Sequence, residues 1–275
     1  MRLILTSKQD EASANIRGKL LEMRDWSETG RFEGEPYFSW GDFFMVTIEA
    51  YHLFRDGVDA QVADSLGIRP SVVIVASKHR SESGTSTLTV HPIGNFGKAE
   101  FGGKPRTLVP TSPGLMTDAL RTLKGKARAA GLGYEVSFEV THHGPFLETP
   151  TFYIEIGSLE EQWADEGAAR TVAETILEAR ETDYPIAVGV GGGHYAPRLT
   201  DVALAKKVSF GHMLANYALE GIDDVMLGAA VAGTPGASLV YFHRKAMKKS
   251  EVSKLKDWFD SRGLRTVREE DLEGL

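Results

Sequence analysis

"YFSWGDFFMVTIEA", residues 37–50, decides what kind of sheet this chain builds. Two apolar runs flank Gly41-Asp42, a two-residue connection that closes a β-hairpin. Strands joined in this way are antiparallel, so a purely parallel sheet is excluded. The next strand-like run, "SVVIVAS" (71–77), has no polar alternation and reads as a strand buried on both faces. Helix-like runs separate the strand-like ones through most of the 275 residues. "DEASANIRGKLLEMR" follows "RLILTS". Ser112-Pro113 opens a helix in cap-then-first-position order, and Gly131 stops it. Ser158 and Glu161 form a Ser-x-x-Glu box that opens a helix through Arg180. Ser250 starts a last amphipathic helix with Val252, Leu255, Trp258 and Phe259 on one face. The expected fold is α/β, a mixed twisted sheet with helices on both faces, in one domain spanning residues 1–275. Gly94 to Gly114 is the only long loop-like tract and reads as a functional loop or lid.

Composition narrows the function classes. Hydrophobic residues make up 42% and charged residues 25%, ordinary values for a globular chain. The net charge of -7 argues against a protein that coats nucleic acid, while leaving room for local basic patches. With no cysteine, disulfides, thiolate metal sites and cysteine nucleophiles are all excluded. No apolar run approaches the roughly 18 residues of a membrane span, and "MRLILTS" is too short for a signal-peptide core. A cytoplasmic protein is the expectation. Labile amides are scarce (Asn15, Asn95, Asn216, Gln9, Gln61 and Gln162), which fits a thermophilic source.

Chemistry is carried by the histidines. Those at 52, 79, 91, 142, 143, 194, 212 and 243 nearly all follow or end a strand-like run. In open α/β sheets ligands bind outside the carboxyl ends of strands, so these imidazoles point to that edge. His52 follows the hairpin and His243 enters the basic "RKAMKK"; both read as structural. A metal site without cysteine must combine His with Asp or Glu. Glu155 interrupts the apolar strand "TFYIEIG", opposite the face of Phe152, Ile154 and Ile156, where an unpaired carboxylate would be costly. The candidate metal ligands are His79, His91, His143, His194, His212 and Glu155, and the candidate catalytic groups are His143 and His194. In "YEVSFEVTHHGP", Val136, Phe138 and Val140 share parity with His142. If the strand persists, His142 packs behind the site and His143 enters it; Gly144-Pro145 can end the strand sooner.

The glycine run 191–193 in "GVGGGHYAPR" matches no dinucleotide fingerprint, and neither a Walker motif nor HExxH is present. Gly191, Gly192 and Gly193 could offer N–H groups to an oxyanion or seat a substrate together with Arg198. Arg121, Lys124 and Arg128 form one helical stripe suited to RNA phosphates. Residues 244–268 carry nine Lys/Arg against three Asp/Glu. A solvated helix face is the ordinary alternative for either tract.

"SKHRSESGTSTLTVHPIGN" (77–95), "VTHHGP" (140–145) and "GVGGGHYAPR" (189–198), with "ILTSKQDEASANI" (4–16), resemble the archaeal-type D-aminoacyl-tRNA deacylases, also called D-tyrosyl-tRNA deacylases, across nearly the whole chain. The resemblance implies a hydrolase that cleaves the ester between a D-amino acid and tRNA and so limits D-amino-acid toxicity. It also implies zinc dependence, a fold of the phosphorylase or peptidyl-tRNA-hydrolase type, and aminoacylated tRNA as the partner, with no membrane and no obligate protein partner. Two rivals use the same residues differently. A metal-dependent amidohydrolase or peptidase on a small substrate explains the histidines but gives the basic tracts no role. A non-catalytic RNA-binding protein explains the basic tracts and leaves the histidines idle.

Overall fold

The hairpin at Gly41-Asp42 forms as expected in the structure, a computed structural model that describes all 275 residues. Strand β1 (Arg2–Ser7) leads into helix α1 (Glu11–Met23). An antiparallel meander follows, β2 (Ser27–Phe32), β3 (Glu35–Trp40) and β4 (Phe43–Ile48), then α2 (Val58–Leu66) and β5 (Val72–Lys78). Next come β6 (Thr87–Pro92), the short pair β7 (Gly94–Asn95) and β8 (Thr107–Leu108), α3 (Pro113–Ala129), β9 (Glu135–Phe138) and β10 (Thr151–Gly157). The remainder is α4 (Glu160–Trp163), α5 (Glu166–Glu178), β11 (Ile186–Val190), α6 (Pro197–Ala205), β12 (Ser209–Leu214), α7 (Asn216–Leu219), α8 (Asp224–Ala232), β13 (Ala237–Phe242), α9 (Lys249–Asp260) and β14 (Arg265–Val267).

The strands form one mixed eight-stranded sheet, ordered β2-β3-β4-β1-β5-β10-β6-β9, and a separate four-stranded sheet, β12-β11-β13-β14. The second is wholly parallel, so the late strands do not simply extend the first sheet. Alternation along β10 divides the core. Phe152, Ile154 and Ile156 pack with Ile16 and Leu20 of α1, Leu120 and Leu123 of α3 and Val172 of α5. Tyr153 packs on the other face, with Val58 and Val62 of α2, and Glu155 shares that face by parity. The second sheet buries Val188, Val190 and Val240 against Leu255 and Phe259 of α9. No helix is long and apolar enough to cross a membrane.

Two local expectations change. The helix expected from Ser158 through Arg180 is broken into α4 and α5. Ser158 is buried, and its hydroxyl donates to the Thr85 carbonyl at 2.6 Å instead of capping. Asp165 caps the second piece, accepting from the N–H groups of Gly167 and Ala168. The stripe on α3 is also broken. Arg121 is half-buried and donates to the carbonyls of Ala203 (2.8 Å), Lys206 (3.0 Å) and Val208 (2.8 Å), closing the carboxyl end of α6. A guanidinium with Nε and Nη2 spent on backbone and Nη1 buried is not free for phosphate; Lys124 and Arg128 stay exposed.

Arg121→Ala should therefore cost stability, about 2–3 kcal/mol from carbonyls that lose a charged donor. Denaturant unfolding measures this, and a wild-type midpoint would show that these bonds contribute nothing.

Candidate active site

Two buried carboxylates organise the histidines. Glu155, on β10, lies 3.4 Å from His91 Nε2 and 3.7 Å from His79 Nδ1. Glu139, one residue beyond β9 and fully buried, lies 2.9 Å from His194 Nε2, 3.2 Å from His79 Nδ1 and 3.5 Å from His142 Nε2. The rings crowd together: His142 is 4.3 Å from both His91 and His143, and 4.5 Å from His194, between centroids. The sheet is responsible. β5 and β10 run parallel while β6 runs antiparallel to β10, so His79 and His91 arrive from opposite directions and meet over Glu155. The cluster thus lies on a sheet face, because a mixed sheet has no single carboxyl edge.

Three imidazoles share one arrangement. Nδ1 of His91, His142 and His143 lies against the carbonyls of Pro92 (3.1 Å), Val140 (2.8 Å) and Gly144 (2.7 Å). An N–H on Nδ1 donating to each carbonyl leaves Nε2 with its lone pair, the state in which histidine binds metal. Ligand atoms of these three lie within 4.8 Å of one another, as do those of His79, Glu139 and His194, and of His91, Glu139 and Glu155. Both Glu139 oxygens and His91 Nε2 are buried without a hydrogen-bond partner, an expense that a bound cation would offset. The residues fit a metal.

Burial dominates the electrostatics. It pushes His142 and His143 well below the usual histidine range, so both are neutral imidazoles. Burial acts on His91 in the same sense, but the Glu155 carboxylate overcomes it and raises His91. For Glu139, burial opposes ionisation; the His194 contact, with His91 and His79 nearby, outweighs it and holds the carboxyl well below its ordinary range. A cavity of about 500 Å³ opens above, with His142, His143 and His194 in its lining. Phe96, Lys98 and Phe101 from the 94–114 tract and Tyr217 of α7 contribute too, so the tract expected to be functional borders the cluster.

The structure brings together His79, His91, His143, His194 and Glu155. It also brings in His142, expected to pack behind. β9 ends at Phe138, and His143 takes a left-handed φ of 49°, so strand parity stops applying before the pair. His212 lies outside the cluster. It is buried with Nδ1 3.0 Å from Thr141 Oγ1 and Nε2 3.1 Å from the Val109 carbonyl. Two of the glycines serve packing: Gly191 donates to the Leu214 carbonyl and Gly192 to Asn216 Oδ1, and a Cβ on Gly191 would meet Met247 Sδ at 2.6 Å, whereas Gly193 is exposed. None of the three lines the cavity. Arg198 is held by Tyr241 Oη at 3.0 Å and by Glu269, at a different crevice. Sequence reasoning missed Glu139, although it interrupts the apolar "VSFEV" just as Glu155 interrupts its strand. It also missed Tyr195, whose hydroxyl is 2.9 Å from His79 Nε2; nothing in the sequence marked it.

The family model for D-aminoacyl-tRNA deacylase matches residues 66–267, a span that contains the whole cluster. The chain belongs to the D-aminoacyl-tRNA deacylase family. It is accordingly an enzyme, an ester hydrolase. A family member from Methanosarcina mazei is 40% identical over 98% of this chain and 92% of its own length. One from Pyrococcus horikoshii is 39% identical over 83% and 85% respectively. A crystal structure described as a conserved protein of unknown function superposes with a TM-score of 0.91 at 32% identity, covering 99% of this chain and 96% of that one. This chain and that protein share one mixed α/β fold.

His212 provides a test of the electrostatics away from the cluster. Burial lowers its pKa to about 4 in the folded chain, against about 6.5 unfolded. Between these values the unfolded state binds the extra proton, so this contribution to stability is complete above the upper value and fades as pH falls toward the lower. His212→Gln should flatten the stability-versus-pH slope in that window by up to about 1.4 kcal/mol per pH unit. Urea midpoints from pH 4 to 7 measure it; an unaltered slope would mean that His212 titrates freely in the fold.

Proposed function

We propose that the cluster hydrolyses the ester of D-aminoacyl-tRNA, D-tyrosyl-tRNA among its substrates, releasing free D-amino acid and tRNA, with zinc held by His91, His142 and His143 beside Glu155. The carrying observation is the shared arrangement of those three imidazoles, each with Nδ1 on a carbonyl, next to the buried Glu139 oxygens that lack hydrogen-bond partners. Family membership supports the substrate class. When bound, zinc supplies Lewis acidity toward a carbonyl oxygen and acidifies water.

The protein's own groups supply the proton chemistry. His194 lines the cavity and presents Nε2 to Glu139 at 2.9 Å. With its proton on Nε2, neutral His194 accepts a proton at Nδ1 from the attacking water, and Glu139 stabilises the imidazolium. Water oxygen bonds to the ester carbonyl carbon, the bond to the ribose oxygen breaks, and His194 returns the proton to that oxygen. The products are a carboxylic acid and the ribose hydroxyl of tRNA, so atoms and charge balance. An aminoacyl ester is already activated, and no covalent nucleophile is required. Tyr217 Oη, 3.5 Å from His194 Nδ1, marks the cavity side of the ring.

Chelation should abolish hydrolysis of D-tyrosyl-tRNA, and zinc should restore it. Full turnover by exhaustively metal-stripped protein would remove the zinc assignment. His194→Ala should lower kcat by about 10²-fold or more while the fold, read by circular dichroism, persists. Turnover at the wild-type rate would assign the base to another residue.

A further inference from the structure

With Arg121 spent on backbone carbonyls, the expected phosphate stripe on α3 loses its first member, and a different surface takes its place. After β13 the chain makes a tight turn at Arg244–Ala246 and enters α9 through Lys248 and Lys249. Arg244, Lys245, Lys248 and Lys249 are all exposed, and none has a carboxylate within 4.0 Å of its charged nitrogens. Of the other five cations of residues 244–268, Lys256 pairs with Asp260, Arg262 with Asp224 and Arg268 with Glu270, while Lys254 and Arg265 are exposed and unpaired but stand singly along the chain. Four unpaired cations within six residues stand out in a chain of net charge -7. The positive end of the α9 dipole adds to the same field.

The turn is fastened to the catalytic cavity. Asn216 Nδ2 donates to the Ala246 carbonyl at 2.6 Å, and Asn216 Oδ1 accepts from the Gly192 N–H at 3.1 Å. Its chain neighbour Tyr217 lines the cavity, and Gly192 lies two residues before His194. The near approach of Gly191 to Met247 packs the same loop against the same turn. Arg244 and Lys245 also line a crevice of about 270 Å³ at the carboxyl ends of β13 and β14, where Arg198 and Arg268 are matched by Glu269 and Glu270. Ligands of parallel sheets bind at such ends. The basic turn and the cavity are therefore neighbouring parts of one surface.

We propose that Arg244, Lys245, Lys248 and Lys249 form a strip that binds the backbone phosphates of the RNA substrate as its esterified end enters the cavity. The proposal rests on the deacylase reading for what occupies the cavity. The strip binds by charge and carries no base readout.

The test measures binding of uncharged tRNA from low to moderate salt. The variant Arg244→Gln/Lys245→Gln/Lys248→Gln/Lys249→Gln should bind more weakly, and its log Kd against log salt should be flatter by about 2–3. The paired variants Arg244→Gln/Lys245→Gln and Lys248→Gln/Lys249→Gln should each flatten it by about 1–2, which keeps the test open if the fourfold variant misfolds. Lys124→Gln/Arg128→Gln should keep the wild-type slope. Folded strip variants with the wild-type slope overturn the proposal. Hydrolysis of D-tyrosyl-tRNA by wild-type protein is followed in parallel. Turnover with an unchanged variant slope sinks the strip alone. A flattened slope without wild-type turnover upholds the strip as an RNA surface and removes the deacylase reading.

Discussion

The fully buried carboxylate of Glu139 is the constraint to which the rest of the site answers. An ionised carboxylate out of water is tolerable only beside positive or proton-donating partners. His79 and His194 stand in that place from two separate parts of the chain, at 3.2 and 2.9 Å, in contacts that fall short of well-formed hydrogen bonds and leave room for a bound cation. The same burial that makes this charge expensive keeps His142 and His143 neutral and able to coordinate. One low-dielectric pocket therefore produces both an anion and uncharged imidazoles, the combination that hydrolytic metal sites use.

Such a pocket needs rigid walls, and the mixed sheet provides them. Glu155 projects from a strand hydrogen-bonded on both sides, parallel to β5 and antiparallel to β6. It cannot retreat to solvent without breaking two ladders. His143 is fixed differently. A Cβ on the neighbouring Gly144 would stand 2.2 Å from Gly103 N, and one on Gly102 would stand 1.7 Å from the Leu53 carbonyl oxygen. Backbone packed on backbone at these glycines holds the 101–103 loop against the histidine pair, with the Gly144 N–H donating to the Phe101 carbonyl at 3.0 Å. The loop that borders the cavity and the residues beneath it are thus one packed unit.

The second sheet has a different task. It carries His194 to the cluster and carries the basic turn past the cavity mouth. The glycines at 191 and 192, both at positive φ, permit that close arrangement. Their N–H groups are consumed in building it, which explains why these two glycines of a run that looked suited to binding an anion instead shape the wall between cavity and turn.

Local periodicity was enough to read the hairpin, the α/β alternation, the two faces of β10 and the cost of Glu155 inside an apolar strand, because each depends only on neighbours a few residues away. The motifs around residues 77–95, 140–145 and 189–198 likewise carried the family. The cluster itself depended on long-range pairing. Antiparallel β6 sets His91 over Glu155, the early end of β9 turns His142 into the site, and Glu139 acquires meaning only when His79 and His194 close over it. His212 and Arg121 show the reverse. Both had the right chemistry at a plausible position, yet partners distant in sequence (Val109 and Thr141 for one, the end of α6 for the other) took up their polar atoms first. A residue's type is written locally, but whether its donors and lone pairs are free is decided by what the tertiary fold brings against them.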